Sequence, residues 1–393
     1  MFVGEFGKIV HWGPLTALGI IKIVTAMTIH CSNMWWPRST IGGKLNFLVF
    51  VGFSGLTLYN FLSSMYHGPG YLILNWRPDK EEHCKNLQFC LECQGYKAPR
   101  SHHCRKCGRC VLKMDHHCPW INNCVGWGNH AHFIFFLTFA TAGCLQASVI
   151  LGCCLYKSIH RVRYFYHGDT SVNFGLYGMM LCVLSLGLSI GVVVAVGMLL
   201  FFQIRAVMKN RTGIEDWIME KAVGRRKGTQ EQFRFPYDIG IWRNIGQVIN
   251  FSCQPVGDGI MSWPVAEGCH EFSLTVEQIE QKQEKRLKSR VYKIVKPASG
   301  YWFPITFGIR VCLNYPFNDE PRIKLDIGDS VVVTRWRRHW LFGEKIQEVP
   351  AGQPVERIKG WFPRRCAVEV IENSNSPASN NRQINGQHYK KNK

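Results

Sequence analysis

Acidic side chains are scarce in this 393-residue sequence, which has 27 aspartates and glutamates against 47 lysines and arginines and a formal charge of +20. Nevertheless, 46% of its residues are hydrophobic. This combination is unfavourable for one soluble globule and typical of a membrane protein with basic cytosolic parts. Long apolar runs also argue against nucleic acid as a partner, which leaves anionic lipid and phosphorylated cofactors as the expected polyanions.

Charge is also almost absent from four long apolar segments, at about 14–36, 45–66, 133–156 and 174–204. Each is long enough to cross a hydrocarbon core of roughly 30 Å. Lys22 is the single Lys, Arg, Asp or Glu in the first segment, and the other three contain none. Buried helices of a large soluble protein are the alternative, and three uncharged runs disfavour it. The sequence therefore predicts four transmembrane helices.

No cleavable signal peptide is recognisable, because the start lacks a basic n-region that leads into a small-residue cleavage site. The first span is therefore expected to act as its own signal. Lysines and arginines are concentrated between the second and third spans and just beyond the fourth. The positive-inside rule places these two regions, and both termini, in the cytosol.

Cysteines, in contrast, are abundant and clustered: seven of the 17 fall between Cys90 and Cys124. CxxC pairs beside histidines indicate zinc rather than disulfides, and zinc–thiolate sites suit a reducing compartment. The segment also holds four histidines, which gives eleven candidate ligands, whereas two closed zinc sites need eight. Zinc is thus expected to be structural, and three candidates are spare.

A repeated spacing assigns the ligands. The pattern C-x2-C-x9-H occurs twice, and a further cysteine lies seven residues beyond each histidine. The two predicted Cys3His sites are Cys90, Cys93, His103, Cys110 and Cys104, Cys107, His117, Cys124. His102, His116 and Cys118 remain outside both sites.

The spare residues His116 and Cys118 flank the predicted ligand His117, so zinc would fix both side chains. A thiol attacks as its thiolate, and an adjacent imidazole can assist as a base or as a cation. Asp115 can accept a hydrogen bond from His116 and orient it, as the third member of a triad does. Two simpler interpretations stay open: Asp115 as a turn residue, and Cys118 as a zinc ligand that exchanges with Cys124.

The run Asp115-His116-His117-Cys118, between the second and third of four spans, resembles the DHHC-type protein S-acyltransferases, or palmitoyltransferases. The resemblance covers residues from about 14 to 250. It implies that Cys118 takes a fatty acyl group, palmitoyl above all, from acyl-CoA. The acyl group then passes to cysteines of membrane-associated protein substrates in a ping-pong reaction. In such enzymes the aspartate and first histidine activate the cysteine, and the second histidine binds zinc.

The same resemblance suggests which residues surround the site. Basic residues of the cysteine-rich segment are candidates for the CoA phosphates, although they could equally face anionic lipid: Arg100, Arg105, Lys106 and Arg109. Three further motifs match the family in part: Gly68-Pro69-Gly70 in place of Asp-Pro-Gly, Thr212-Gly213-Ile214-Glu215 in place of Thr-Thr-x-Glu, and Asn244 in a C-terminal motif. We expect these to support structure, with Gly213 requiring some brace other than a threonine.

Beyond the fourth span the composition is that of a soluble protein. Residues 277–290 are charged throughout and are interpreted as a solvated helix or linker. Residues 291–371 have short β-rich runs, and Trp336 or Trp340 together with Gly360-Trp361-Phe362-Pro363 resembles an SH3 domain, a small β-barrel. A regulatory or protein-binding role is expected for it, with PxxP binding left open.

Features near the C-terminal end of the sequence indicate in which cellular membrane the protein resides. An SH3-like tail resembles the endoplasmic-reticulum member of the family, and Lys390 and Lys391 resemble a di-lysine retrieval signal. A plain basic tail is the alternative. The polar stretch 372–393 is expected to be disordered. These features predict a multi-pass protein of the endoplasmic reticulum membrane.

The predicted fold class is therefore a mainly α membrane protein with four transmembrane helices, a cytosolic two-zinc cysteine-rich domain and a C-terminal SH3-like β-barrel. The predicted segments are 1–79 (two spans), 80–130 (zinc domain), 131–205 (two spans), 206–290 (cytosolic segment and linker), 291–371 (SH3-like) and 372–393 (tail). A RING-like scaffold is one rival, but it would end in a CxxC pair rather than the lone Cys124. A transporter is another, and it would favour intramembrane charges.

Overall fold

The computed structural model describes residues 5–167, 172–250, 252–318, 320–347 and 358–370. The chain divides into two compact units, Met1–Ile279 and Glu280–Lys393. The predicted di-lysine signal, Lys390 and Lys391, and the rest of the polar tail 372–393 lie outside the described residues.

Long helices dominate the first unit. In chain order they are α1 (Trp12–Trp35), α2 (Ile41–Tyr66), α3 (His130–Ile159), a short α4 (Arg161–Tyr166) and α5 (Leu176–Met208). Within the described residues, four helices are long and apolar enough to cross a membrane: α1, α2, α3 and α5. The four spans expected from the sequence are confirmed as helices. Most of the helices begin earlier or end later than the apolar runs, since capping turns and a few polar residues extend them.

Helix α3 packs against α1, α2 and α5. One buried cluster lies towards the end of the bundle away from the cysteine-rich segment and includes Cys31, Phe50 and Leu151. A second lies towards the cysteine-rich segment and includes Phe61, Phe133 and Leu137. The second cluster therefore joins the apolar interior of the bundle to the cysteine-rich segment.

Three β-hairpins form the cysteine-rich segment between α2 and α3. They are β1 (Phe89–Cys90) with β2 (Gly95–Tyr96), β3 (His102–Cys104) with β4 (Arg109–Val111), and β5 (His116–Cys118) with β6 (Asn123–Val125). A short 3₁₀ helix, Glu81–Asn86, precedes them.

The Gly68-Pro69-Gly70 segment holds these hairpins through its backbone. Gly70 accepts a hydrogen bond from the Leu112 N–H (2.9 Å), and Pro69 accepts one from the Gly128 N–H (3.1 Å). A Cβ at Gly128 would lie 2.8 Å from the Gly68 carbonyl oxygen, so the two backbone segments are too close for any residue other than glycine at this position. The segment therefore makes these contacts without the carboxylate that is missing at position 68.

Among the described residues, α5 is followed by α6 (Gly213–Arg225), α7 (Ile241–Gly246) and α8 (Ser273–Leu287). The prediction that 277–290 is solvated throughout is wrong at its first residue. The Glu277 side chain is 1% exposed, accepts a hydrogen bond from Arg225 at 2.7 Å and forms an ion pair with Arg226, also at 2.7 Å. Two guanidiniums at the end of α6 offset the cost of burying this carboxylate.

The second unit is a β-structure around the buried side chains of Trp340, Trp361 and Phe362. Its elements are β7 (Arg290–Ile294), β8 (Ala298–Ser299), α9 (Ile309–Leu313), β9 (Lys324–Leu325), β10 (Ser330–Trp336), β11 (Trp340–Lys345), β12 (Lys359–Pro363) and β13 (Ala367–Glu369). Among the described residues the strands pair in the antiparallel order β12-β11-β10-β7-β13, and β8 pairs with β9 separately. The predicted closed barrel is not observed in this part of the chain, because β12 and β13 do not pair.

Candidate active site and metal centres

Strand pairing brings each predicted histidine ligand next to the cysteine that lies seven residues after it in the sequence. His103 lies opposite Cys110 in the β3–β4 hairpin, and His117 lies opposite Cys124 in the β5–β6 hairpin. The CxxC turn of the preceding hairpin supplies the other two thiols. In the described residues, two groups of four donors form, each with its donor atoms within 4.8 Å of one another: Cys90, Cys93, His103, Cys110 and Cys104, Cys107, His117, Cys124.

The donor spacing fits zinc. With Zn–S near 2.3 Å and Zn–N near 2.0–2.1 Å, a tetrahedral site has S···N edges of about 3.5 Å. The distance from His103 Nδ1 is 3.5 Å to Cys90 Sγ and 3.4 Å to Cys93 Sγ. The distance from His117 Nδ1 is 3.6 Å to Cys104 Sγ and 3.4 Å to Cys107 Sγ. Both clusters could therefore hold Zn²⁺, with every donor position used by protein.

The segment contains three similar hairpins, whereas the C-x2-C-x9-H spacing predicts only two units. Cys90, Cys104 and Cys118 recur every 14 residues, and so do the turn residues Gln94, Gly108 and Asn122, which all have positive φ (53°, 66° and 46°). In the third hairpin Ile121 stands where the second cysteine of the CxxC pair would be. Cys118 thus occupies the place of a zinc cysteine in a hairpin that lacks the partner ligand. Extending the 14-residue period would have revealed this.

Strand geometry separates the ligand from its neighbours. Side chains alternate between the two faces of a strand, so His116 and Cys118 share one face of β5 while His117 points to the other. The His117 face carries the zinc donors. The opposite face brings the imidazole of His116 to the thiol of Cys118, and their hydrogen bond contributes to the raised pKa of His116.

Asp115 is held by three donors and is 6% exposed. Its Oδ2 lies 2.8 Å from His116 Nδ1 and accepts a hydrogen bond from Gln203 Nε2 at 2.8 Å. Its Oδ1 accepts a hydrogen bond from the Gly213 N–H, also at 2.8 Å. Gln203 in turn contacts His130 Nε2 through its Oε1, at 3.0 Å. Asp115 is therefore not a simple turn residue, because α5 and the start of α6 both bind it.

These contacts set the charges of the pair. Burial alone would raise the pKa of Asp115, but hydrogen bonds from His116 and the Gly213 N–H lower it well below the usual range. Burial alone would lower the pKa of His116, and the Asp115 carboxylate reverses this and raises it to about 9. The carboxylate is thus ionised and stabilises the imidazolium form of His116.

Cys118 lies where the cysteine-rich segment meets the helical bundle. It is 5% exposed and packs in the cluster of Phe61 and Met65 from α2 with Phe133 and Leu137 from α3. The ring of Phe133 also contacts the His116 ring edge-on, with centroids 5.6 Å apart. The thiol therefore has a polar partner on its own strand and apolar side chains of membrane-spanning helices around it.

A buried ion pair braces this arrangement. Arg100 donates to Glu215 Oε1 and Oε2 at 2.6 and 2.8 Å, and both side chains are at most 1% exposed. Arg100 also donates to the Asn210 carbonyl (2.7 Å) and stacks on Tyr237 (4.3 Å). Burial would raise the pKa of Glu215, but the Arg100 charge lowers it and keeps the carboxylate ionised.

The prediction that Arg100 could bind CoA phosphates is therefore wrong, because its guanidinium is buried and already paired. Arg109 is partly buried and donates to the Leu72 carbonyl at 3.0 Å. Arg105 and Lys106 are exposed. His102 pairs with Val111 across the β3–β4 hairpin and lies outside both donor clusters.

The partial motifs after α5 lie at the same brace. Thr212 and Glu215 form a capping box at the start of α6: the Glu215 N–H donates to Thr212 Oγ1, and the Thr212 N–H donates to Glu215 Oε2. Asn244 is buried and donates to the Met208 carbonyl (2.8 Å) and to Asp238 Oδ1 (2.7 Å). Gly213 braces Asp115 with its backbone N–H, so no hydroxyl is needed there.

Replacing Glu215 with glutamine should destabilise the first unit strongly. Glutamine retains the shape of the capping box but leaves the Arg100 charge buried without a counter-charge, which typically costs about 3–5 kcal/mol. We expect the midpoint of thermal unfolding in detergent to fall by about 5 °C or more. The adjacent Asp216→Asn is the control, since it removes an exposed ion pair with Arg211 worth at most about 1 kcal/mol. Equal shifts in the two variants would show that the buried pair is not a brace.

Comparison with known proteins agrees with this geometry. The profile of the DHHC palmitoyltransferase domain matches residues 83–220. Palmitoyltransferase ZDHHC6 of Homo sapiens is 43% identical over 379 residues, which cover 92% of each chain. The chain belongs to the DHHC palmitoyltransferase family. Palmitoyltransferase ZDHHC6 of Danio rerio is 41% identical over 94% of each chain. The probable protein S-acyltransferase 15 of Arabidopsis thaliana is 32% identical over 59% of this chain and 89% of its own.

This DHHC palmitoyltransferase is a protein S-acyltransferase: it transfers palmitoyl groups to cysteines of proteins. The resemblance drawn from the DHHC run is thereby confirmed, and so is the predicted enzyme class. Membership of this family is also consistent with the four membrane-spanning helices and with the two clusters that could hold zinc.

Proposed function

We propose that Cys118 is the nucleophile of this palmitoyltransferase, that His116 is its acid–base partner and that Asp115 orients His116. The observation that carries this assignment is the separation of faces on β5. Cys118 and His116 share the face that adjoins the bundle, while His117 belongs to the zinc donors on the other. A thiol that is excluded from the metal cluster and placed beside an imidazole is available for attack.

The reaction proceeds in two balanced steps. The Cys118 thiolate attacks the thioester carbonyl of acyl-CoA, the C–S bond to CoA breaks, and the CoA thiolate takes the proton that His116 received from Cys118. A substrate cysteine then attacks the acyl-Cys118 thioester after giving its proton to His116. The C–S bond to Cys118 breaks, and the Cys118 thiolate is regenerated. Asp115 keeps the His116 ring in place through both steps.

The surroundings of Cys118 suit an acyl donor that has an apolar chain at one end and phosphate groups at the other. Its neighbours Phe61, Phe133 and Leu137 belong to membrane-spanning helices and offer the acyl chain an apolar environment, worth about 0.8 kcal/mol per buried CH₂. The exposed Arg105 and Lys106 are candidates for the CoA phosphates. Acyl-CoA is therefore the donor, and membrane-associated proteins with cysteines near the bilayer surface are the acceptors.

Two Zn²⁺ ions would be scaffold in this enzyme. All four donors of each cluster come from protein, so a bound ion has no open position for substrate. The ligands we assign are the eight cysteines and histidines of the two clusters. His117 and Cys124 would fix the β5–β6 hairpin and so the orientation of the Cys118 side of β5.

Topology and location follow from charge distribution and family resemblance. The excess of lysine and arginine places the cysteine-rich segment and both termini in the cytosol. The SH3-like tail, which resembles that of the endoplasmic-reticulum member of the family, and the Lys390-Lys391 pair, which resembles a di-lysine retrieval signal, favour the endoplasmic reticulum membrane. We assign residues 291–371 to an SH3-like module on the strength of the five-stranded sheet around Trp340 and Trp361, and residues 80–130 to the zinc domain.

Gly213 offers a clean test of the role of Asp115. It is the first residue of α6, a position where proline is tolerated because its N–H has no helical partner. Thr212 before it is extended (φ −81°, ψ 163°), as a residue preceding proline must be. Gly213→Pro therefore removes the hydrogen bond to Asp115 Oδ1 without breaking the helix, and the proline Cδ, which takes the place of the amide hydrogen, also displaces the carboxylate. A hydrogen bond to a charged group is worth about 1.5–3 kcal/mol, so the rate of acyl-enzyme formation should fall by at least about 10- to 100-fold.

Gly213→Ala is the matched control, because alanine keeps the N–H and its Cβ would meet Asp115 Oδ1 at an ordinary 3.7 Å. Single-turnover acylation from labelled palmitoyl-CoA is the measurement, with zinc content and unfolding midpoint checked in parallel. If the proline and alanine variants acylate at the same rate, the Gly213 N–H does not position Asp115.

A further inference from the structure

An exposed apolar patch covers one side of the second unit. It comprises Tyr301, Trp302, Phe303, Ile305, Ile309, Leu313 and Phe317, which we call the aromatic patch. Ile305, Ile309, Leu313 and Phe317 are 74–85% exposed, more than large apolar side chains usually are outside a binding surface. In the same segment Phe307 and Val311 are buried in the core, so the exposed residues are on a properly folded segment.

Ring contacts join three aromatic members of the patch. Tyr315 is partly buried against the core and contacts Trp302, Phe303 and Phe317, with centroids 6.1, 5.7 and 5.2 Å apart. Ile309 and Leu313 are four residues apart in α9 and therefore lie on one side of it. Three of the exposed rings are thus anchored on the core through Tyr315, and two of the exposed aliphatic side chains share one side of α9.

The charges beside the patch are mainly basic. Residues 291–318 contain Lys293, Lys296 and Arg310 and no aspartate or glutamate. Asp319 and Glu320 follow in the sequence, and Glu320 is paired with Arg335 at 2.5 Å. The Arg322 guanidinium lies 3.7 Å from the centre of the Trp302 ring, and Arg365 donates to the Phe307 carbonyl at 3.2 Å. Exposed Trp, Tyr and Phe next to basic residues are the composition of surfaces that lie in the membrane interface and bind anionic lipid.

The polar C-terminal stretch offers poor cover for this patch. The C-terminal stretch 372–393 is dominated by Asn, Ser, Gln and Lys and has too few apolar side chains to bury it. The same chain, however, carries four membrane-spanning helices that end at Met208. No further span follows among the described residues, so the second unit is tethered on the side of the bilayer where α5 ends.

We propose that the aromatic patch docks on the surface of the bilayer in which the enzyme is embedded, with its aromatic side chains at headgroup level and its basic residues on anionic phospholipid. The occupant of the patch is thus the lipid surface. A proline-rich peptide and a second copy of this chain are the competing occupants that the experiment must separate.

Full-length protein in nanodiscs with a photoreactive, diazirine-bearing phosphatidylserine provides the test. After illumination, lipid adducts are mapped on the tryptic peptides 294–310 and 311–322, which carry the patch. We expect adducts on both peptides and protection of the segment from hydrogen exchange relative to detergent. Replacing phosphatidylserine with phosphatidylcholine should reduce the adducts about fivefold or more, the effect of one basic residue at an anionic surface.

A triple variant, Trp302→Ser with Ile305→Ser and Phe317→Ser, should lose the adducts while the lipid adducts on α1 to α5 persist. The control is Ile327→Ser with Val368→Ser, which alters exposed apolar residues of the same unit outside the patch. Unchanged unfolding midpoints show that both variants fold. The lipid surface is ruled out if the patch peptides carry no adducts in phosphatidylserine discs, if added proline-rich peptide alone protects them, or if protection requires two copies per disc.

Discussion

Purified enzyme in which Cys118 is replaced by serine should form no acyl-enzyme from labelled palmitoyl-CoA. A serine hydroxyl beside His116 is a much weaker nucleophile than a thiolate at neutral pH. Loss of the nucleophile in an enzyme with a covalent intermediate typically costs at least about 1000-fold in rate. The wild-type label should be sensitive to hydroxylamine, as a thioester is, and the Cys118→Ser protein should show none above background.

Cys269→Ser is the matched control, because Cys269 is partly exposed and belongs to neither donor cluster. It should label like the wild type. Both proteins should contain two zinc ions per chain. Equal labelling of the Cys118→Ser protein would place the nucleophile elsewhere. Loss of zinc from it would support the alternative in which Cys118 is a ligand that exchanges with Cys124.

Removing one zinc ligand from the second cluster should have a comparably large effect by a different route. Cys124→Ser leaves three donors at the cluster that contains His117, and structural zinc sites supply about 10–16 kcal/mol of binding free energy that is also folding free energy. We expect zinc content to fall from two ions to one per chain and acyl-enzyme formation to fall at least about 100-fold. The reason is that β5 and β6 are joined by only a short ladder that the metal site fixes.

The equivalent residue of the first cluster provides the comparison. Cys110→Ser should also release one zinc, but its hairpin carries neither His116 nor Cys118. We therefore expect a smaller loss of acylation than in the Cys124→Ser protein. Zinc analysis and single-turnover labelling on the same preparations decide the matter. A Cys124→Ser protein that keeps two zinc ions and full activity would contradict both the ligand set and its scaffold role.

The sequence by itself determined the four membrane-spanning helices, the family and the reaction. Uncharged runs of about 20 residues and the contiguous Asp115-His116-His117-Cys118 motif are local signals. Such signals can be recognised in the sequence without knowledge of the fold. The zinc donors were grouped from spacing because each hairpin closes over fewer than ten residues. The same spacing contained a third repeat, which would have shown that Cys118 stands in a ligand position without a partner.

Only the tertiary structure decided what surrounds the reactive pair. Asp115 is bound by Gln203 and Gly213, and Arg100 is buried against Glu215, in pairs of residues about 90 to 115 positions apart in the chain. Such contacts have no periodicity, so Arg100 resembled a phosphate ligand and Glu277 a solvated charge until their partners were known. The position of Cys118 against α2 and α3 likewise depends on how the bundle packs. Residues adjacent in the sequence thus indicate the reaction of this protein. The positions of the reactive side chains depend on residues that are distant in the sequence and are brought together by burial.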